Sequence, residues 1–299
     1  EMDKFKVDQY VMQGGQVLWL IDRLNADLDS LRNQQARFMP TDYPLNLEDM
    51  LFKYGARIQP DLVLDLQCTK IPVQVGMTGN GPQFELYPWY YHPAVMPTGL
   101  HPIVKNLDRV ELRFCSSIDT IRTKTVVKKT PLLQSSRYSR LQFSPIDLNF
   151  SQLGKDADPA KFDKGLQTVG LLLEGRFPSV FENRVSEEMM AGLQRLGMQF
   201  KSVSEPTRML VISDGDVAAN YVRDAAKKEY LPLGFNRFEQ TNYANRELLF
   251  NAIEYLIDPN GVIEARSKEV KLRLLDGIRA RQEKSFWQSV NIGLPLAFL

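Results

Sequence analysis

The fold prediction rests on the sequence TRMLVISDGDVAAN, which spans Thr207–Asn220. Its apolar run, Met209–Ile212, is short and is followed by turn-forming residues, as is typical of a buried strand. The polar turn Ser213–Asp216 leads into small residues, and Ser or Asp before a helix accepts hydrogen bonds from unpaired backbone N–H groups. We therefore predict a strand-to-helix junction in an α/β domain. Ligands of open α/β sheets bind beyond the carboxyl ends of strands. The candidate ligand-binding residues at this junction are Ser213, Asp214, Asp216 and Asn220.

Three more apolar runs have the character of Met209–Ile212, and we predict all four as core strands of a sheet that is at least partly parallel. The three are Val17–Ile21, Leu62–Leu66 and Val169–Leu173. Helical patterns accompany these runs, at Glu1–Gln13, Leu47–Tyr54, Ser186–Leu196 and Asn245–Ile257. A chain in which helices and buried strands are interspersed in this way is predicted to belong to the α/β class.

Residues 72–165 differ from the rest of the domain and are predicted as a β-rich, loop-rich insertion. Proline and glycine are dense between Pro72 and Pro102, which favours loops with short β segments. The same region holds an aromatic cluster. Exposed aromatic side chains bind sugars, peptides or proteins, whereas buried ones fill a core. Both interpretations are open at this point, and the candidate ligand-binding residues of the cluster are Trp89, Tyr90 and Tyr91.

The carboxylates of the turn, Asp214 and Asp216, have two alternative roles. Two hard carboxylates at a strand end suit Mg²⁺, but no third acidic ligand is identifiable in the sequence. We favour the structural alternative, in which both residues form the turn and cap the next helix. Replacement of either by Asn is then expected to preserve much of the capping, because Asn is also a good cap. No catalytic residue, metal ligand or cofactor is predicted.

The other residues with metal-binding or nucleophilic side chains are few. His92 and His101 both precede proline in the loop-rich segment, and we interpret them as loop residues without a chemical role. Cys68 and Cys115 lie in apolar, strand-like contexts rather than on a glycine-flanked nucleophile turn. Two buried free thiols are the favoured interpretation. A single disulfide in an oxidising compartment is the alternative.

The charge distribution matters at the C-terminal end. The net charge of +1 gives no general attraction to nucleic acid, so no nucleic-acid partner is predicted. Residues 263–285 are predicted as a basic helix, and the run Phe286–Leu299 that follows is largely apolar. We interpret the apolar run as the start of a transmembrane anchor and the basic helix as its juxtamembrane flank. The alternative is a hydrophobic tail that packs on the domain.

Three stretches resemble one known family, the auxiliary domain of uncharacterised ABC transport systems, and within it the gliding-motility auxiliary subunits of Bacteroidetes. The first is Phe5–Asp22, with its helix, Gly14-Gly15 and strand. The second is Arg208–Asn220, which contains Val-Ile-Ser-Asp-Gly-Asp. The third is the helix Asn245–Asp258, NRELLFNAIEYLID. The resemblance implies a three-layer α/β fold with a mostly parallel sheet. That fold is flavodoxin-like, or similar to class I glutamine amidotransferases without their catalytic cysteine.

The resemblance also implies a function. It indicates a non-enzymatic, substrate-binding-type subunit at the inner membrane, with residues 1–262 in the periplasm and both chain ends continued in the natural protein. The expected partners are an ABC permease and ATPase from other chains, working in gliding motility or associated secretion. The alternatives are a periplasmic carbohydrate- or glycan-binding module and a hydrolase acting through Asp214 and Asp216. A glycan or a peptide is the ligand class that we expect.

Overall fold

The computed structural model describes residues 1–31, 33, 35–79, 81–97, 99–150, 153, 157–195, 197–224, 226–258 and 284–297. The chain divides into two compact units, Glu1–Ile263 and Glu264–Leu299. The described part of the second unit is a helix. The basic helix predicted at 263–285 lies outside the described residues except for its last two positions.

The described helices are α1 (Met2–Met12), α2 (Glu48–Tyr54), α3 (Glu187–Arg195), α4 (Asn245–Ile257) and, in the second unit, α5 (Lys284–Ala297). The strands of the first half are β1 (Val17–Leu20), β2 (Arg37–Phe38), β3 (Ala56–Ile58), β4 (Asp61–Asp65), β5 (Cys68–Thr78), β6 (Gly81–Val95), β7 (Val110–Glu111) and β8 (Ile118–Thr120). Those of the second half are β9 (Val127–Gln134), β10 (Ser139–Phe143), β11 (Leu148–Asn149), β12 (Thr168–Gly175), β13 (Thr207–Ile212), β14 (Val222–Asp224), β15 (Glu229–Tyr230), β16 (Phe235–Asn236) and β17 (Thr241–Asn242).

The central sheet has four strands in the order β1-β13-β12-β9. Strands β1 and β13 run parallel, with Val17 opposite Met209 and Leu20 opposite Ile212. Strand β12 is antiparallel both to β13 and to β9. All four apolar runs predicted as strands are confirmed as strands. Three of them lie in this sheet, whereas the run at 62–66 belongs to β4, which pairs with β10.

The predicted three-layer, mostly parallel, flavodoxin-like sheet is wrong. Of the pairings between described strands, only β1 with β13 is parallel, and the other strands form small antiparallel sheets. A continuous apolar run arises when both faces of a strand are covered, whichever direction its neighbours take. The apolar runs therefore predicted correctly that these strands are buried. They could not predict whether neighbouring strands run parallel or antiparallel.

Both faces of the central sheet are covered, which explains why its strands are apolar throughout. Side chains alternate along β13, so that Met209 and Val211 face one core and Leu210 and Ile212 face another. The first core lies against α1, α2 and α3 and includes the fully buried Tyr54. The second lies against α4, whose predicted bounds Asn245–Ile257 are confirmed.

The insertion predicted as loop-rich contains the longest strands of the described chain. Strands β5 and β6 pair antiparallel as a hairpin, from Thr78 opposite Gly81 back to Cys68 opposite Pro93. Proline lacks the backbone donor that a ladder needs, so it lies in strands at edges and irregularities. The density of proline in this segment predicted loops. In the hairpin, prolines lie next to register shifts and at solvent-facing positions.

Candidate functional site

The parallel pair β1 and β13 brings two acidic turns to the same edge of the central sheet. Both strands end there, with Ile21 N donating to Ile212 O. Asp22 follows β1 directly, and Ser213–Asp216 follow β13. The backbone N–H of Gly215 donates to Asp22 Oδ1 at 2.8 Å. A Cβ atom on Gly215 would lie 2.6 Å from Asp22 Oδ2, so this close approach requires glycine.

A strap of chain, residues 112–117, crosses this sheet edge. Ser213 Oγ donates to the carbonyl oxygens of Ser116 and Val169. The hydroxyl group of Ser213 is therefore hydrogen-bonded to the backbone. Arg113 N donates to Asp214 Oδ2 at 2.7 Å. Phe114, the next residue, has φ +48°, a left-handed conformation that a bulky side chain adopts only where its surroundings impose it.

Asp214 is fully buried and holds the turn to the strap. Its second oxygen, Oδ1, accepts from Asp216 N at 2.7 Å. Burial raises the pKa of Asp214 well above its ordinary value, and the hydrogen bond from Arg113 N opposes that shift. Burial also raises the pKa of Asp22. Both oxygens of Asp214 are thus committed to backbone donors, as befits a structural residue.

The predicted helix after the turn does not form. Asp216–Ala218 make only one 3-10 turn, and Ala219 returns to an extended conformation with ψ 128°. Asp214 Oδ1 accepts from Asp216 N, the first residue of this turn. Ala219 is already extended, so the turn ends after three residues, which is too few to nucleate a helix.

Beside the turn lies a cleft of about 340 Å³, which we call the strand-end cleft. Its polar lining residues are Asp27, Asp29, His92, Arg113, Asp216, Asn220, Tyr221 and Arg237. They come from five separate parts of the chain, so that tertiary packing alone assembles them. Apolar side chains, Phe114 and Phe238 among them, complete the walls.

Two guanidinium groups contact the ring of Tyr221. The Cζ atom of Arg113 lies 4.2 Å from the ring centroid and that of Arg237 lies 5.1 Å from it. Such cation–π contacts hold arginine side chains in place. Arg113 also donates to the buried carboxylate of Glu111, whose other oxygen accepts from Asn236 Nδ2 at 2.7 Å. The cationic wall of the cleft is therefore preorganised.

The opposite charge is supplied by Asp216, which is half-buried. Burial raises its pKa, Arg113 opposes this shift, and Asp27 adds to it. Unlike Asp214, the Asp216 side chain accepts no hydrogen bond and forms no ion pair among the described residues. The strand-end turn thus contributes one carboxylate to the interior and one to the cleft.

His92 lines the cleft and is 3% exposed. Its ring packs edge-on against Phe114, with centroids 4.9 Å apart. Burial lowers the pKa of His92 well below its ordinary value, and Arg113 adds to that shift, so the imidazole is neutral. Within the described chain, its buried Nε2 has no hydrogen-bond partner. The expectation that His92 is a loop residue is wrong, since it lies in β6.

The aromatic cluster is separate from the strand-end cleft. Trp89 and Tyr91 are 3% and 8% exposed, and they pack in a core where Trp89 also contacts Phe150. Tyr90 is half-buried and contacts Phe162. The cavity beside them measures about 20 Å³, space for roughly one water molecule. Their burial favours the core interpretation, and their role in ligand binding stays a prediction.

The structure distributes the predicted residues over three environments. Ser213 and Asp214 lie beneath the turn, Asp216 lies in the cleft, and Asn220 is on its rim with Nδ2 donating to Leu231 O at 2.7 Å. Sequence reasoning missed Arg113, Tyr221, Arg237 and the partner carboxylate Asp22. Two of these residues had a local signal: Tyr221 directly follows the quoted stretch, and Asp22 directly follows a predicted strand.

Comparison with protein families identifies the chain. The family model described as an ABC-type uncharacterized transport system matches residues 1–252. The chain belongs to this family. No curated protein matches the sequence. The family match makes the chain an auxiliary component of an ABC-type transport system, for which other ABC components are plausible partners.

The region matched to the ABC-type transport family contains the central sheet and every polar residue of the strand-end cleft. Helix α5 lies after it. Among the described residues, no helix combines the length and the apolar character needed to cross a membrane. No group of three or more metal-ligating side chains is assembled within the described ranges either.

Proposed function

We propose that this chain is a non-enzymatic, membrane-tethered periplasmic subunit of an ABC transporter complex. In this proposal it works with a permease and an ATPase from other chains and supports gliding motility or associated secretion, as the auxiliary protein GldG of Bacteroidetes does. The observation that carries the proposal is the family match over residues 1–252. The resemblance of the three stretches described above supports the finer assignment to gliding motility.

The chemistry of the interior supports a non-enzymatic role. Burial raises the pKa of Cys68 to about 12 and raises that of Cys115 well above its ordinary value, so neither thiol forms the thiolate that a nucleophile requires. Both are free thiols. The carboxylates of Asp22 and Asp214 accept backbone hydrogen bonds, which stabilise the fold.

The tether is proposed from the composition of the C-terminal end. The stretch Phe286–Leu299 is largely apolar and follows a basic segment. Phe286 and Trp287, in α5, are 62% and 51% exposed. Aromatic side chains next to basic residues are typical of a membrane interface.

Purification of the full-length natural protein from its native membrane in mild detergent tests the transporter assignment. An affinity tag and mass spectrometry identify the chains that co-purify, and an unrelated tagged protein of the same membrane is the control. We expect one ABC permease and one ATPase, enriched over the control. Recovery without either would refute the transporter assignment. Normal gliding of a strain that lacks the gene would refute only the part concerning motility.

Thiol labelling in whole cells tests the periplasmic location. Val126 is 92% exposed, so Val126→Cys made in a Cys68→Ser chain offers an accessible thiol, whereas the remaining Cys115 is buried. A maleimide that passes the permeabilised outer membrane but not the inner one is expected to label this variant and to leave the Cys68→Ser chain largely unlabelled. Labelling that requires lysis of the inner membrane would place the domain on the other side.

A further inference from the structure

The strand-end cleft contains unsatisfied charged groups of both signs. Among the described residues, the side chains of Asp216 and Arg237 make no hydrogen bond or ion pair. Arg113 donates one side-chain hydrogen bond, to Glu111, although a guanidinium carries five N–H donors. Asp216 and Arg113 are partly buried, and charges that are partly removed from water and incompletely paired cost free energy that a complementary ligand recovers. Arg237 is exposed and adds a second positive charge to the lining.

The aromatic rings that line the cleft are already in contact with other side chains of the chain. Tyr221 carries the guanidinium groups of Arg113 and Arg237, and Phe238 also lies under Arg237, at 4.8 Å. Phe114 packs against Tyr91 and His92. Carbohydrate recognition by stacking needs a free aromatic face. The cleft therefore favours a ligand recognised by its charges over a sugar recognised by stacking.

We propose that the strand-end cleft binds a small zwitterion of amino-acid size. Its carboxylate pairs with Arg113 and Arg237, and its ammonium group pairs with Asp216. The volume of about 340 Å³ lies at the lower end of the range of roughly 300–1,000 Å³ for small-molecule sites, which suits a free amino acid rather than a folded partner. The neutral imidazole of His92 offers a further polar contact without adding charge.

This inference gives the proposed transporter subunit a ligand class, but it rests on the cleft and is measured on the isolated chain. Failure of ligand binding would leave the co-purification result untouched. Equally, a chain that binds amino acids but co-purifies with no permease would retain this inference and lose the proposed function.

The test is a thermal-shift screen of the purified full chain against each of the twenty amino acids, followed by calorimetric titration of the strongest binder. Its amide, which lacks the carboxylate, and its N-acetyl derivative, which lacks the ammonium group, are titrated in parallel. We expect the zwitterion to bind and each derivative to bind at least about tenfold more weakly, because each loses one charge-assisted contact.

Variants connect the binding to the cleft. Arg237→Gln and Asp216→Asn are each expected to weaken the titrated amino acid at least about tenfold. Arg246→Gln is the matched control, because Arg246 is exposed and lies over Phe250 at 5.3 Å much as Arg237 lies over Phe238. It is expected to bind like the unchanged chain. Circular dichroism verifies that each variant is folded.

Several results would overturn the inference. The first is the absence of any shift or heat with all twenty amino acids at millimolar concentration in a folded chain. The second is equal binding of the amide or the N-acetyl derivative. The third is unchanged affinity in both Arg237→Gln and Asp216→Asn. Binding of a neutral sugar in place of the zwitterion would also overturn it and would restore the glycan-binding alternative.

Discussion

Asp214 and Asp216 lie two residues apart in one turn, yet they belong to different regions of the molecule. Asp214 is fully buried, and both its oxygens accept backbone hydrogen bonds, from Arg113 and from Asp216. Asp216 is half-buried and faces the strand-end cleft without a partner among the described residues. The same residue type at one strand end can thus hold the backbone together or remain available to a ligand. Which role an aspartate takes depends on its burial and on the hydrogen-bond donors around it, because the carboxylate group is the same in both cases.

The largest expected effect comes from breaking the strand that carries both residues. Val211 is completely buried in the central sheet, so Val211→Asp places an unpaired charge in an apolar core. We expect a loss of about 4 kcal/mol or more in the free energy of unfolding, which is enough to unfold many domains. Chemical denaturation followed by circular dichroism measures it. Val126→Asp, at a position 92% exposed, is the control and stays folded.

The second largest effect on stability is expected from Asp214, and it distinguishes this carboxylate from that of Asp216. Asp214→Asn retains one acceptor oxygen but presents an NH₂ group to the second backbone donor, which is left unsatisfied. We expect a loss of about 1–3 kcal/mol in the free energy of unfolding at pH 5. The sequence alone led to the opposite expectation, that Asn preserves much of the capping, because it did not show that both oxygens of Asp214 accept hydrogen bonds. A loss below about 0.5 kcal/mol would mean that the strap is held by other contacts.

The stability difference between the unchanged chain and Asp214→Asn should depend on pH. Burial raises the pKa of Asp214 above its ordinary value of 3.8. The stability contributed by such a group is fully present below that ordinary value and is lost as pH rises through the raised pKa. The difference in unfolding free energy between the unchanged chain and Asp214→Asn should therefore shrink as pH rises above about 4, by at most about 1.4 kcal/mol per pH unit. A difference that grows with pH would contradict the raised pKa.

The smallest effect on stability is expected at the cleft. Asp216 accepts no hydrogen bond in the described chain, so Asp216→Asn should change the free energy of unfolding by less than about 0.5 kcal/mol. Urea denaturation of this variant beside Asp214→Asn is the direct comparison. A loss at Asp216 as large as that at Asp214 would show that both carboxylates are structural, as the sequence had suggested.

The sequence determined much of the secondary structure. The four apolar runs became strands, and the helix Asn245–Ile257 has its predicted bounds. The strand-end turn also lies at the edge of the sheet where the sequence placed it, and Asp216 and Asn220 reach the cleft beside it. These features are local: a short apolar run, a helical period and a polar turn each record burial and backbone geometry within a few residues.

Only the tertiary structure decided strand direction and the composition of the cleft. Strand direction depends on which segments become neighbours, and β13 pairs with β1 across almost 200 positions of sequence. The bond from Arg113 N to Asp214 spans 101 residues, and Asp22 contacts Gly215 across 193. No local pattern encodes such contacts, because they arise from packing between separate elements. The carboxylates of one turn were therefore visible in the sequence, whereas their different environments exist only in the folded chain.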